Sequence, residues 1–235
     1  MFDPSARYYD KIYSYKDYAA ETTKLLEIIG KHRLSTGNRL LDVACGTGKH
    51  IAYLKQTFSA EGMDLAPGML EVARQAHPEA TFHQGDMRNF DLGRTFDVVT
   101  CLFSSIGYVK TLEGLAQAVN CMAKHVVPGG VLVIEPWFTP DTWQVGHVHA
   151  ILIEEPDLRI VRMSTSMAEG NLSYFDFHYL VGTPKGVEHF VERHELGLFT
   201  VAEMEVAITR AGLESAYDVQ GLDGRGLYIG IKPIA

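Results

Sequence analysis

The sequence has little of what a disulfide-stapled or zinc-bound protein needs. Its 235 residues include only three cysteines, Cys45, Cys101 and Cys121, which are odd in number and widely spaced. There is no Cys-x-x-Cys pair and no cluster of cysteine and histidine, so neither a disulfide framework nor a metal site is expected. This cysteine usage fits a reducing compartment, and we expect a cytoplasmic protein.

Long apolar runs are also lacking. No run approaches the roughly 20 residues that a membrane-spanning helix needs. The segment Met1–Ser5 has neither the basic flank nor the apolar stretch of a secretory signal peptide, so no such signal is expected. We therefore expect no membrane partner.

Positive charge is scarce. Lysine and arginine number 21 against 29 aspartate and glutamate, a formal net charge of −8. Nucleic-acid binding draws on Lys and Arg at phosphates, so no nucleic-acid partner is expected, although a single bound nucleotide stays open. With 46% hydrophobic and 21% charged residues, the composition is that of a globular domain and excludes collagen, coiled coil and wholesale disorder.

Short apolar strands alternate with helical segments over the first 136 residues. An amphipathic stripe from Leu112 to Val126 predicts one of the helices. The predicted strands are residues 39–43, 60–64, 81–83, 96–101 and 131–135. This alternation predicts βαβ units, and hence an α/β fold with a mostly parallel, doubly wound sheet.

The pattern changes after Pro140. Residues 147–196 contain strand-like segments separated by turn signals and no helix, which predicts an antiparallel β lobe inserted in the fold. A capping box at Thr200–Glu203 and a last strand at 227–231 resume the first pattern. We therefore predict a cofactor-binding domain over residues 1–140 and 199–235, with a substrate-binding lobe at 141–198.

The turn after the first strand carries the strongest chemical signal. Asp42-Val43-Ala44-Cys45-Gly46-Thr47-Gly48 places small residues at alternate positions, which lets backbone N–H groups approach a ligand. No Gly-Lys-Ser/Thr follows, so this is not a phosphate-binding P-loop. Asp64 ends the second strand, where a carboxylate can accept hydrogen bonds from both ribose hydroxyls. Asp86, after the third strand, can accept from an adenine amine while Met87 packs on the ring.

On these residues the chain resembles the class I S-adenosylmethionine-dependent methyltransferases, whose fold is Rossmann-like. Residues 40–48 match their first motif, with Ala44 in the usual middle-glycine position. The resemblance implies S-adenosylmethionine as cofactor, with Asp64 on its ribose and Asp86 on its adenine. The expected cofactor-binding residues are Tyr9, Tyr18, Asp42, Ala44, Cys45, Gly46, Gly48, Asp64, Leu65, Met69, Asp86, Met87 and Phe103.

A narrower resemblance runs nearly from end to end. The stretches that carry it are Lys16-Asp17-Tyr18, residues 41–48, 83–88 and 103–108, Glu135-Pro136-Trp137 and Gly224-Arg225-Gly226-Leu227. They look like the N,N-dimethyltransferases of TDP-3-amino sugars in desosamine and mycaminose biosynthesis. The resemblance implies a nucleotide-linked amino sugar as the small-molecule substrate, and a homodimer. The sequence departs from that family in the lobe, at Phe138-Thr139, Ser164-Thr165-Ser166 and Leu172-Ser173-Tyr174.

The expected substrate-binding residues are Ser104, Tyr108, Trp137, His178 and Arg225. Tyr108 is the candidate to orient the amine, and the Arg225 guanidinium could bind a pyrophosphate. No histidine or carboxylate stands where strand ends mark a general base, so we expect positioning to carry most of the rate. Two alternatives stay open: an O- or carboxyl-methyltransferase of the same fold, and a non-catalytic S-adenosylmethionine-binding protein.

Overall fold

A computed structural model of the chain describes residues 4–234. Residues 1–3 and 235 lie outside this range. They include most of the segment on which the expected absence of a signal peptide rests, and the two ends of the predicted cofactor domain. No helix within the described range is both long and apolar enough to cross a membrane.

The helices and strands are numbered in chain order. The α-helices are α1 (Tyr9–Ile12), α2 (Tyr18–His32), α3 (Ile51–Leu54), α4 (Pro67–Ala76), α5 (Leu112–Lys124) and α6 (Val201–Arg210), and short 3-10 helices span Ala6–Tyr8 and Ser105–Val109. The strands are β1 (Arg39–Val43), β2 (Ser59–Asp64), β3 (Thr81–Gln84), β4 (Phe96–Cys101), β5 (Val126–Ile134), β6 (Val148–Glu155), β7 (Leu158–Thr165), β8 (Met167–Glu169), β9 (Leu172–Thr183), β10 (Gly186–Gly197), β11 (Glu214–Asp218) and β12 (Leu227–Ile231).

A seven-stranded sheet forms the centre of the molecule, in the order β11-β12-β5-β4-β1-β2-β3. The strands from β5 to β3 pair in parallel, while β12 pairs antiparallel with β5 and with β11. This confirms the predicted α/β fold with a mostly parallel sheet. Helices cover both faces: α5 and α6 enclose one apolar core and α2 the other.

Local sequence explains where the longer helices begin. Asp17 accepts a hydrogen bond from the Ala20 N–H at the start of α2, and Thr111 accepts one from Gly114 at the start of α5. The predicted capping box opens α6, with Thr200 and Glu203 bonding each other's backbone N–H. Strand β5 begins at Val126, ahead of the predicted start at residue 131, so Pro128-Gly129-Gly130 lies inside the strand.

A second sheet, antiparallel throughout, occupies the region predicted as the lobe. Its strand order is β10-β9-β7-β6, and β8 pairs with the first three residues of β9. One face of this sheet packs on the N-terminal segment, where Ile12 is buried with Ile160, Tyr179 and Val181. This contact holds the N-terminal tyrosines beside the carboxyl ends of the central strands.

Candidate active site

The turn between β1 and α3 has an unusual backbone. Ala44, Gly46 and Gly48 all have positive φ angles, of 58°, 56° and 79°. A non-glycine residue in this left-handed region costs about 1–2 kcal/mol, so the surroundings must hold Ala44 there. The Gly46 N–H donates to Asp64 Oδ2 at 2.8 Å, which ties the turn to the end of β2.

Asp64 stands at the carboxyl end of β2 and faces the crevice beside that turn. Its second oxygen accepts from the Ala66 N–H at 2.8 Å. Burial raises the pKa of Asp64 above its ordinary value, against the hydrogen bonds from Ala66, Gly46 and Leu65, which lower it. A carboxylate offers about four lone-pair sites, so beside these three backbone donors Asp64 can still accept from a ribose hydroxyl.

A cavity of about 370 Å³ opens at this edge of the central sheet. The predicted cofactor residues that line it are Tyr9, Ala44, Gly46, Asp64, Leu65, Met69, Asp86, Met87 and Phe103. A smaller recess of about 40 Å³ is lined in part by Tyr18, Asp42 and Cys45. Gly48 lines neither, because it faces His77 and Phe82. A slot lined by the Asp64 carboxylate, by small residues of the turn and by Met87 fits S-adenosylmethionine.

The two other acidic groups of the cofactor region have opposite electrostatic surroundings. Arg88 forms a close ion pair with Asp86, with Nη2 at 2.6 Å from Oδ2, and this lowers the pKa of Asp86. Burial raises the pKa of Asp42 to about 6, although Thr100 donates to it at 2.7 Å. Asp86 is therefore firmly ionised, whereas Asp42 takes up a proton in mildly acidic solution.

The corner after β4 is strained and held from several sides. Phe103 and Ser104 have positive φ angles of 52° and 63°. The buried Glu135 accepts from the Phe103 N–H at 2.6 Å, and Ser104 Oγ donates to the Pro136 carbonyl at 2.8 Å. Backbone strain of this kind persists only where neighbours fix it. The corner leads into the 3-10 helix that places Tyr108 in the wall of the cavity of about 370 Å³, which we call the cofactor cavity.

Arg225 is the cation that stabilises this corner. Its Nη1 donates to Ser104 Oγ at 2.6 Å and its Nη2 to Glu135 Oε1 at 3.1 Å. Its Nε lies 3.0 Å from Asp223 Oδ2, so two carboxylates already neutralise the guanidinium. Most of the N–H donors of Arg225 are thus committed within the chain. Its binding of a pyrophosphate stays a prediction.

A second cavity, of about 800 Å³, adjoins the first. Residues that line both are Tyr13, Phe103, Trp137, Phe175, Phe177 and Arg225. Its outer wall comes from the antiparallel sheet and from the segment after Trp137, including Trp143, His149 and Ser164. The two cavities therefore form a continuous site between the central sheet and the lobe.

Arg162 lines the second cavity and differs from Arg225 in its surroundings. It is 3% exposed, and its Nη1 donates to the Tyr13 hydroxyl at 2.9 Å. Its guanidinium carbon lies 4.2 Å from the centre of the Phe177 ring. Tyr179 also hydrogen-bonds to this guanidinium, but within residues 4–234 no carboxylate pairs with it and its Nε has no hydrogen-bond partner. A buried cation without a carboxylate, facing a large cavity, is suited to an anionic ligand.

The structure brings most of the predicted substrate residues together. Ser104, Tyr108, Trp137 and Arg225 line the first cavity. His178 is not among them: it is exposed on the outer face of β9, stacked on His189 with ring centres 5.8 Å apart. We correct its assignment, because successive residues of a strand point to opposite faces and the inner face of β9 carries Phe177 and Tyr179.

Two residues of the second cavity, Arg162 and Trp143, were not predicted from the sequence, because they come from the lobe or its approach and belong to no local motif. His194, which lines neither of the two large cavities, was not predicted either. His194 lies behind Tyr108, with its Nδ1 at 2.8 Å from the tyrosine oxygen. Arg162 lies two residues after the buried Ile160, and residues two apart on a strand share a face. This spacing was the available signal that Arg162 faces inward. Among the described residues, no three His, Cys, Asp or Glu side chains stand close enough to hold a metal ion.

A mostly parallel sheet with this strand order, a small-residue turn after β1 and a carboxylate at the end of β2 define a class I S-adenosylmethionine-dependent methyltransferase. The comparisons with known proteins agree. A family model described as a methyltransferase domain matches residues 40–130. A structure with S-adenosylmethionine bound, CalS10, an amino pentose methyltransferase from Micromonospora echinaspora, is 39% identical and covers 92% of each chain with a TM-score of 0.83.

Two curated relatives are similar over almost their whole length. The dTDP-3-amino-3,4,6-trideoxy-alpha-D-glucopyranose N,N-dimethyltransferase of Streptomyces venezuelae is 44% identical over 92% of both chains. The dTDP-4-amino-2,3,4,6-tetradeoxy-D-glucose N,N-dimethyltransferase of Saccharopolyspora spinosa is 39% identical over 95% of this chain and 91% of its own. The chain belongs to this family of nucleotide-amino-sugar N,N-dimethyltransferases, it is an S-adenosylmethionine-dependent enzyme, and both parts of the resemblance are confirmed.

Proposed function

We propose that this enzyme methylates, twice, the amino group of a TDP-linked deoxyamino sugar. The observation that carries the proposal is the second cavity, which joins the cofactor cavity and whose volume of about 800 Å³ is within the usual range for small-molecule sites. The relatives named above act on dTDP-linked amino sugars, one with the amine at position 3 and one at position 4. We further propose the division of labour predicted from the sequence, with residues 1–140 and 199–235 binding the cofactor and 141–198 the substrate.

The diphosphate of such a substrate needs a cation, and we assign this role to Arg162. A guanidinium binds phosphate oxygens through parallel N–H donors, and within the described chain the neighbours that hold Arg162 are tyrosines rather than carboxylates. Ser164 and Ser166 line the same cavity and can donate hydroxyl hydrogens to phosphate oxygens. Arg225, which is already paired with Glu135 and Asp223, supports the corner at Phe103 and Ser104 instead.

The nucleobase needs an aromatic surface, which the same cavity offers. Trp137 and Trp143 lie with ring centres 5.4 Å apart, and Phe138 contacts both at 4.7 and 5.6 Å. Stacking of a base on an aromatic side chain is worth roughly 1–3 kcal/mol. We therefore place the thymine near Trp143, on the outer side of Arg162, and the sugar toward the cofactor cavity.

Bound S-adenosylmethionine supplies a methyl group on a cationic sulfur, and the electron pair of the broken carbon–sulfur bond leaves with the sulfur. The residues of this chain have to hold the sugar nitrogen in line with that methyl group and exclude water, which can contribute several kcal/mol. Phe103, Phe175 and Phe177 at the junction of the cavities exclude water there. After attack the methylated nitrogen is a cation and loses one proton to bulk solvent, and the role predicted for Tyr108 from the sequence is to orient this amine.

Turnover assays test the proposal against its alternatives. Purified enzyme, S-adenosylmethionine and a TDP-linked 3-amino or 4-amino deoxysugar should yield a product heavier by two methyl groups, detected by mass spectrometry. The matched control is the same nucleotide sugar with a hydroxyl in place of the amine. Methylation of that control would favour the O-methyltransferase alternative. Binding of S-adenosylmethionine without any turnover would favour the non-catalytic one.

A cytoplasmic homodimer completes the proposal. Six exposed apolar side chains share the outer face of the lobe sheet: Val148, Leu152, Met163, Leu180, Val187 and Val191. A patch of this kind marks an interaction surface, and a second copy of the chain is its simplest self-complementary partner. Light scattering should give twice the mass of the chain, and Leu180→Lys with Val191→Lys should give the monomer.

The three buried free thiols suit a reducing compartment, and the net charge opposes binding to nucleic acid or an anionic membrane.

A further inference from the structure

A row of buried polar groups leads away from the cofactor cavity behind Tyr108. The tyrosine oxygen lies 2.8 Å from His194 Nδ1, and His194 Nε2 lies 3.8 Å from Glu192 Oε2. Glu192 in turn accepts from the Ser5 N–H at 3.0 Å and from the Ser5 hydroxyl at 2.6 Å. His194 is 1% exposed and Glu192 is 6% exposed. The row therefore connects a wall of the active site to the N-terminal segment.

The carboxylate decides which ring nitrogen of His194 carries the hydrogen. Burial opposes ionisation of Glu192, but His194 and the two donors of Ser5 hold the pKa of this carboxyl below its ordinary value. At 3.8 Å this contact is an ion-pair approach rather than a hydrogen bond, but the negative carboxylate favours the hydrogen on the ring nitrogen that faces it, Nε2. Nδ1 is then an acceptor, and the hydroxyl of Tyr108 donates to it.

The direction of that hydrogen bond determines what Tyr108 can do for a substrate. A phenol has one hydrogen, and here it is directed to His194. Toward the cavity the oxygen can therefore act only as an acceptor. Burial also raises the pKa of the Tyr108 phenol, so the group is neutral at physiological pH.

We propose that His194 and Glu192 are positioning residues that fix Tyr108 as an acceptor for an N–H of the substrate amine. Held by one N–H, the nitrogen turns its lone pair toward the methyl group. This inference rests on the proposed amine substrate and adds to it. A primary amine and its monomethyl product both have an N–H for Tyr108, whereas the neutral dimethylamine has none. The arrangement thus accounts for an activity that ends at two methyl groups.

The kinetic test separates hydrogen-bond acceptance at position 194 from simple packing. Tyr108→Phe and His194→Leu should each lower kcat about tenfold, the worth of one ordinary hydrogen bond. The double variant should be no slower than either single one, because the residues act as a unit. His194→Asn should recover activity to within about threefold of wild type, since its amide oxygen can accept where Nδ1 did. The control is His32→Leu, at the end of α2 and outside the three cavities, which should keep wild-type kcat.

Melting temperature and S-adenosylhomocysteine affinity, measured for each variant, show whether the fold and the cofactor site are intact. Losses that multiply in the double variant, or an Asn variant as slow as the Leu variant, would overturn the proposal. A second measurement needs neither variant nor substrate. In ¹⁵N-histidine-labelled wild-type enzyme with S-adenosylhomocysteine bound, NMR should find the His194 hydrogen on Nε2, and a hydrogen on Nδ1 overturns the inference. Failure of the wild type to methylate any amino sugar would instead overturn the proposed substrate.

Discussion

Arg162 and Arg225 are both largely buried arginines of the active site, but they should respond to substitution in opposite ways. Arg162 has aromatic neighbours and no carboxylate in the described chain, whereas Arg225 is paired with Glu135 and Asp223. We predict that Arg162→Met impairs substrate binding and hardly changes stability. Arg225→Met should do the reverse and destabilise the fold.

The magnitudes follow from the contacts. Arg162→Met loses charged hydrogen bonds to Tyr13 and Tyr179, each worth about 1.5–3 kcal/mol, and a cation–π contact worth about 0.5–2 kcal/mol. It also removes a buried charge that no carboxylate pairs and whose desolvation costs several kcal/mol, so the net change in unfolding free energy should be small beside that of Arg225→Met. Arg225→Met leaves Glu135, which is 0% exposed, without its cation and should cost about 3–5 kcal/mol. For a chain of this size that is a fall in Tm of roughly 10 °C.

Substrate binding should show the opposite order. If the diphosphate contacts Arg162, its removal loses charge-assisted hydrogen bonds worth about 1.5–3 kcal/mol, and KM for the nucleotide sugar should rise roughly 10- to 150-fold. Affinity for S-adenosylhomocysteine, measured by calorimetry, should stay at the wild-type value. Arg159→Met is the matched control, because Arg159 is exposed on the same strand and should change neither KM nor Tm.

Three results would refute this reasoning. A KM that rises less than about threefold in Arg162→Met would mean that the diphosphate does not contact this guanidinium. A fall in Tm as large as that of Arg225→Met would mean that the charge of Arg162 is compensated in the free enzyme. A selective rise of KM in Arg225→Met, with its Tm unchanged, would return the pyrophosphate role to Arg225.

Three further predictions concern the cofactor site and the aromatic wall. Asp64→Ala should weaken S-adenosylmethionine binding by roughly 1.5–3 kcal/mol in calorimetry, and Asp86→Ala by less, because Arg88 already engages that carboxylate; an equal loss at Asp86 would reverse the ranking. The native pKa of Asp42, about 6, exceeds the roughly 3.9 of an unfolded Asp, so its contribution to stability is present below about pH 4 and is lost as the pH rises through 6. Asp42→Asn keeps an acceptor for Thr100, and it should remove this pH dependence from the unfolding free energy of the cofactor-free enzyme, measured by urea unfolding at each pH. At pH 7.5 the variant should be more stable than wild type by up to about 3 kcal/mol, and an unchanged pH dependence would contradict this. Trp143→Ala should weaken binding of the nucleotide sugar by the roughly 1–3 kcal/mol of base stacking, which appears as a higher KM in steady-state assays, and should leave S-adenosylhomocysteine affinity intact. An equal loss of affinity for both ligands would assign Trp143 a structural role.

Local pattern was sufficient for the cofactor half of the site. Hydrophobic periodicity separated strands from helices, and parallel strands place their carboxyl ends at one edge of a sheet. The small-residue turn at Ala44 and Gly46 and the carboxylate of Asp64 therefore had to lie near each other. The structure shows them joined by a 2.8 Å hydrogen bond. The sequence alone was sufficient for the fold class and the cofactor, and nine of the residues that it predicts for the cofactor line the first cavity.

The tertiary structure decided which lobe residues face the substrate cavity. Tyr108 and His194 are 86 positions apart, and only the packing of β10 against the 3-10 helix at Ser105–Val109 brings them together. His178 was assigned to the wrong face, because a shift of one residue in a strand reverses the direction of every side chain. Whether an arginine pairs with acids, as Arg225 does, or stands without them, as Arg162 does, depends on neighbours from distant strands. Such contacts are set by how the lobe docks on the central sheet, which no local spacing specifies.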